Sequence, residues 1–84
     1  MNDYNEAIRL DPNDARAYNR RGLVYYHQKN YEKAMNDYNE AIRLDPNDAH
    51  AYRNRGKAFK DQGEDEKADA DFIKSAQIES TSSH

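Results

Sequence analysis

Three histidines, His27, His50 and His84, are the residues best suited to metal or proton chemistry, and none has metal-ligand spacing or a paired partner. Asp11-Pro12-Asn13-Asp14 opens like a calcium loop but lacks the glycine and the closing glutamate that wrap such a loop around its ion. It reads instead as a helix stop followed by a helix cap. Ser75 has no activating base in sequence, and no glycine-rich phosphate loop occurs. The absence of cysteine removes disulfides, thiolate metal sites and cysteine nucleophiles together. No catalysis, metal or cofactor is therefore expected. What the chain does carry is arginine and asparagine at helical spacing. Arg16, Asn19, Arg20, Leu23, Tyr26 and His27 share one helix stripe. His50, Arg53, Asn54, Lys57 and Lys60, with Asp61, form the same stripe in a second helix. Guanidinium forks and side-chain amides held on rigid helices can hydrogen-bond a carboxylate or an extended peptide backbone.

The elements that position these stripes follow from internal repetition. Residues 1–15 read MNDYNEAIRLDPNDA, and residues 35–49 read the same, letter for letter. The register continues at an offset of 34 through Ala17/Ala51, Tyr18/Tyr52, Arg21/Arg55, Gly22/Gly56 and Gln28/Gln62, then Glu32-Lys33-Ala34 against Glu66-Lys67-Ala68. Each unit reads as two helices. Tyr18, Gly22, Tyr25 and Tyr26 fall at i, i+4, i+7 and i+8 of the first, which is one helix stripe. Lys29-Asn30 interrupts it, with Asn30 suited to a left-handed turn, and Gln62-Gly63 is the equivalent break. Ala34, Tyr38, Ala41 and Ile42 line one face of the second helix, which stops before Pro46. Asp48 is the expected N-cap of the next helix. Gly22, Ala34, Gly56 and Ala68 are expected where helix backbones approach closely, with aromatic rings beside them.

Composition agrees with a thin core. Leu, Ile, Val and Phe number only ten in 84 residues, near the disorder boundary, but seven tyrosines and eleven alanines sit at periodic positions. The formal net charge is only −3. No apolar run reaches the roughly 20 residues of a membrane span. The start of the chain is unlike a signal or transit peptide, so a cytoplasmic location is expected.

A 34-residue helix-turn-helix with Tyr18, Gly22, Tyr25, Ala34, Tyr38, Ala41 and Pro46 in order resembles the tetratricopeptide repeat. Tyr52, Gly56, Phe59, Ala68, Phe72 and Ser75 repeat the pattern, and the match covers roughly residues 1–79. Arg21 and Arg55 stand where a leucine is usual before the glycine, which is similar to the family's Arg-Gly variant. Ser80 replaces the closing proline. The resemblance implies an all-α, right-handed α-solenoid of five helices in antiparallel neighbours. Residues 1–14 would be the second helix of a truncated repeat and its linker, 15–48 and 49–79 two full repeats, and 80–84 a disordered tail.

In the resembled family the first helices of the units line a concave groove. That would put the two stripes on one wall, with Arg16, Arg20, Arg21, Arg53, Arg55, Lys57 and Lys60 as a basic inner layer, while residues 64–79 are strongly acidic. The function expected is a non-catalytic module binding an acidic or C-terminal peptide. Some family members clamp a chaperone C-terminus with Lys, Asn and Arg residues over three repeats. Asn54 matches one such place, but Asn19 and Leu23 stand where a Lys and an Asn are required, so that clamp is not expected. An RNA-binding repeat is a further alternative, opposed by the acidic balance. The terminal helices lack polar caps, so self-association by stacking or helix exchange is expected. The fifteen-residue duplication has two possible origins, a recent copying event or deliberate joining of repeats. In the second case the chain would be a structural module with no ligand.

Overall fold

The computed structural model describes residues 2–82, with side chains from Asp3 to Thr81. Five helices follow one another: α1 (Asn2–Leu10), α2 (Ala15–His27), α3 (Tyr31–Leu44), α4 (Ala49–Asp61) and α5 (Asp65–Ser82). There is no strand among the described residues. The arrangement is an all-α solenoid. The two tightest pairs are the hairpins α2–α3 and α4–α5. The helix α4 also packs on α3 and, more lightly, on α2, whereas α1 touches α2 alone.

The capping chemistry sets the helix ends. The Asp14 carboxylate accepts the Arg16 N–H at 3.1 Å, and Asp48 accepts that of His50 at 3.0 Å. Each satisfies one of the N–H groups that a helix start leaves without an internal partner. At the other end of α3, Asp45 is extended (φ −141°, ψ 88°) as the residue before Pro46 must be. The break after α2 differs from expectation. Lys29 takes the left-handed conformation (φ 62°), as Gly63 does after α4 (φ 81°). Asn30 instead caps α3, accepting the Lys33 N–H at 3.4 Å. The offset of 34 explains the difference, since Lys29 and not Asn30 is the counterpart of Gly63.

The end of α5 is a second correction. The helix continues through Ser82, past the expected end at Glu79 and into the expected disordered tail. No proline follows to stop it, and the Thr81 hydroxyl donates to the Gln77 carbonyl at 2.8 Å. Ser83 and His84 lie outside the described residues.

Close approach of the hairpin helices rests on glycine and alanine. A Cβ on Gly22 would lie 2.7 Å from the Tyr38 ring, and one on Gly56 would lie 2.8 Å from the Phe72 ring. Such contacts are far inside van der Waals distance, so the ring can lie flat on backbone only because no side chain is present. Ala34, Tyr38, Ala41, Ala51, Ala58 and Ala68 are buried around these contacts. With alanine as the main buried residue, the aromatic rings supply most of the large apolar surface removed from water.

A pair of charged locks repeats beside the glycines. Arg21 donates to both carboxylate oxygens of Asp37 at 2.8 Å each, and to the Asn5 amide oxygen on α1 at 3.0 Å. Arg55 does the same to Asp71 at 2.8 Å and to Asn39 at 3.0 Å. Asp37 and Asp71 are buried, and the paired hydrogen bonds hold both guanidinium groups in the charged form. Each arginine also lies over aromatic rings, Arg21 over Tyr18 and Tyr25 and Arg55 over Tyr52 and Phe59. One side chain thus ties each first helix to the second helix of its own hairpin and to the helix before it.

Candidate functional site: the cleft between α2 and α4

The locks change the charge map expected from sequence. Arg21 and Arg55 belong to the hairpin interiors, neutralised by Asp37 and Asp71, and do not join the inner layer. The carboxylates of that pairing are what sequence reasoning missed. Their signal was available: Asp3, Asp37 and Asp71 recur at the repeat offset, and each of the latter two follows an arginine by 16 residues.

Arg16, Asn19, Arg20 and Leu23 of α2 meet His50 and Asn54 of α4 in one cleft of about 690 Å³. Ile78 and Glu79 of α5 close one side, and the α3–α4 turn with Asp45, Asn47 and Asp48 closes another. The Asn54 amide donates to the Asn19 amide oxygen at 3.0 Å, which joins the two helices across the floor. Only one of the two Asn54 N–H donors is used in that bond. Arg20 is exposed and has no ion-pair partner among the described residues. Arg16 is also exposed, with only a 3.8 Å approach to Asp14.

The remaining expected residues lie elsewhere. Arg53 pairs with Glu79, an α5 residue whose carboxylate also accepts from the Ser75 hydroxyl at 3.3 Å. Lys57 and Lys60 are exposed further along α4, outside the cleft lining, as is His27 on α2. Tyr26 donates its hydroxyl to Asp61 at 2.6 Å, a second link between α2 and α4. That bond, with burial, pushes the phenol up to about 12. The ring also packs edge-on to Tyr31 and His27.

The cleft is therefore two-sided in charge. Arg16 and Arg20 form its α2 wall, while Asp45, Asp48 and Glu79 share the opposite rim. Those carboxylates are engaged: Asp48 in the α4 cap, Asp45 with the Asn47 N–H at 3.2 Å, and Glu79 with Arg53. No group of three or more His, Asp or Glu able to hold a metal ion occurs among the described residues. No helix there is long and apolar enough to cross a membrane.

Known proteins place this geometry in context. The sequence profile of the TPR repeat matches residues 1–29 and 22–63. A crystal structure of MamA is 31% identical, with a TM-score of 0.87 over 93% of this chain and 46% of that one. MamA (residues 41 to the end) from Desulfovibrio magneticus RS-1 is 25% identical, with a TM-score of 0.89 over 96% and 46% of the two chains. The second TPR of Spaghetti (RPAP3), bound to the HSP90 peptide SRMEEVD, is 29% identical, with a TM-score of 0.85 over 89% and 69%. This chain spans less than half the length of those MamA structures. No curated protein sequence matches it closely. With the family profile covering most of the chain and solved repeats superposing along nearly all of it, the chain belongs to the tetratricopeptide (TPR) repeat family, whose fold is a protein–protein interaction module.

Proposed function

We propose that the chain binds an extended acidic peptide, or the C-terminus of one, in the cleft between α2 and α4. In this reading residues 15–48 and 49–79 are the two whole repeats and residues 1–14 the end of a truncated one. The observation that carries it is the α2 wall, where Arg16 and Arg20 stand exposed next to an Asn19–Asn54 amide pair with a donor to spare. The rim carboxylates are held by caps and by Arg53, so the arginines are the charges left open to a ligand. Arginine forks favour carboxylates, and asparagine amides suit peptide backbone. The similar Spaghetti domain holds a peptide, SRMEEVD, with three acidic side chains and one basic. Asn19 and Leu23 depart from the chaperone clamp, so the motif read here differs from one built on that clamp.

The test is fluorescence anisotropy with labelled acidic heptapeptides, free and amidated at the C-terminus. The Arg16→Gln, Arg20→Gln double variant should weaken binding at least tenfold, and added salt should weaken it in the unaltered chain. Equal affinity in the double variant would reject the reading.

A second reading, self-association, is favoured by one observation. Ile73 is 59% exposed on α5, at the repeat position that Asn39 holds in α3, where the asparagine accepts from Arg55 of the next helix. Sedimentation at rising concentration tests it; a 9.8 kDa monomer throughout would rule it out.

A further inference from the structure

The cleft between α2 and α4 sets the same two repeat positions face to face. At the offset of 34, His50 stands where Arg16 stands and Asn54 where Arg20 stands. On α2 the pair is two guanidinium groups, one helical turn apart. On α4 it is an imidazole and an amide at the same spacing. All four line one cleft, between the two whole repeats. The amide is tied across the floor, from Asn54 to Asn19 at 3.0 Å. The imidazole is not tied. His50 is exposed, and its 3.0 Å bond to Asp48 is made by the backbone N–H. Its ring has no hydrogen bond, ion pair or ring contact among the described residues. The charged groups around it are of both signs. Arg16 and Arg20 of α2 oppose a positive charge on the ring; Asp45 and Asp48 of the α3–α4 turn and Glu79 of α5 favour one. On its own helix Arg53 is paired with Glu79.

We propose that His50 is the cleft's second carboxylate contact, completed by a proton, and that the ligand is a peptide with two carboxylates. This rests on the acidic-peptide reading of the same cleft. One carboxylate sits on Arg16 and Arg20, whose charge is permanent. The other sits on His50. A neutral imidazole offers a single N–H, whereas the protonated ring offers two and a positive charge. Histidine is the side chain that ordinarily changes charge between about pH 5 and 8. A carboxylate placed between His50 and the arginines attracts the proton and separates the like charges, so binding takes up a proton. The sign follows: the complex tightens as pH falls from 8 to 6. Geometry limits the ligand further. Packed helices lie about 8–10 Å apart, and alternate side chains of an extended peptide about 7 Å apart. Two acidic groups separated by one residue therefore reach both walls. A single acid reaches only the α2 wall.

The test is isothermal titration calorimetry of the full chain at pH 8 and pH 6. The probe is an acetylated, amidated heptapeptide with two glutamates one residue apart, both of which stay ionised over this range. Affinity should be about fivefold higher at pH 6, with net proton uptake near pH 7 when buffers of different ionisation heat are compared. His50→Gln should hold the affinity at its pH 8 level throughout and remove the uptake; His50 is exposed, so the fold persists. His50→Arg restores the residue of the preceding repeat and should bind tightly at both pH values. His27→Gln, at a ring outside the cleft lining, should change neither quantity. With the second glutamate replaced by glutamine, the peptide should bind weakly and without pH dependence. A free C-terminal carboxylate in that glutamate's place distinguishes a chain end from an acidic side chain as the source, and pH dependence with either supports the proposal. Binding indifferent to pH, a pH profile that survives His50→Gln or is moved by His27→Gln, or an equal profile with the single-glutamate peptide would overturn the inference and leave the Arg16–Arg20 wall standing. No binding at either pH would overturn both.

Discussion

Replacing Tyr38 by phenylalanine should stabilise the protein. The Tyr38 side chain is fully buried, and its hydroxyl has no hydrogen-bond partner among the described residues. Burial also holds the phenol well above the usual tyrosine range, since ionisation there would strand a charge. An unmet buried hydroxyl costs about 1–3 kcal/mol relative to its hydrated state. Deleting it leaves a gap the size of one oxygen, which at about 24 cal/mol per Å³ of residual void returns only a few tenths of a kcal/mol. The net gain is about 0.7–2.7 kcal/mol. The molecule already contains the product, because Phe72 occupies the corresponding place against Gly56. A domain of this size shifts its melting temperature by about 4–8 °C per kcal/mol, so a rise of several degrees is expected. Thermal melts at 222 nm, with urea midpoints at an unchanged m-value, measure it. A melting temperature that stays put or falls in Tyr38→Phe would refute the reasoning and show that the hydroxyl is paired in solution.

Four further outcomes follow from the same geometry. Lys29→Gly should raise stability by about 0.5–1 kcal/mol, because a side chain in the left-handed region is penalised and glycine is not; a urea midpoint at or below that of the parent would contradict this. Asp71→Asn should lower stability by about 2 kcal/mol, less than the loss for a fully enclosed pair because the Arg55 side chain keeps 22% exposure; paired denaturation curves check it. Gly22→Ala should cost about 1–3 kcal/mol, since its Cβ would press on the Tyr38 ring, and Tyr38→Leu in the same chain should recover part of the loss. The Tyr26 phenol is raised from 10.0 to about 12, so the stability drawn from its bond to Asp61 is present below pH 10 and fades as pH passes about 12. Absorbance titration at 295 nm should show two late-ionising tyrosines, Tyr26 and the buried Tyr38, of which only the Tyr38 phenol remains in Tyr26→Phe.

The helix pairs and their contact residues were readable because packing here is periodic. Gly22 against Tyr38 and Gly56 against Phe72 sit at the spacing that a repeat imposes, and the aspartate caps sit where each turn must end. What escaped reading was partnership between charges. A sequence shows Arg21 and Arg55 as basic and Asp37 and Asp71 as acidic, but it does not show that the two cancel inside a hairpin. The inner wall is consequently less basic than the residue count suggests. The same holds for Arg53, which reads as free until the α4–α5 hairpin brings Glu79 to it. Lys29 escaped for a different reason. Local preference favours Asn30 for the left-handed turn, and only the register with Gly63 moves that role by one residue.

Peptide binding at the Arg16–Arg20 wall is most directly tested by amide NMR on the labelled chain during titration with an acidic peptide. The expected result is a saturable set of shifts confined to Asn19, Arg20, His50, Asn54 and their neighbours, with α5 residues 65–73 unmoved. Shifts centred on α5 or scattered over all five helices, or none at millimolar peptide, would contradict it.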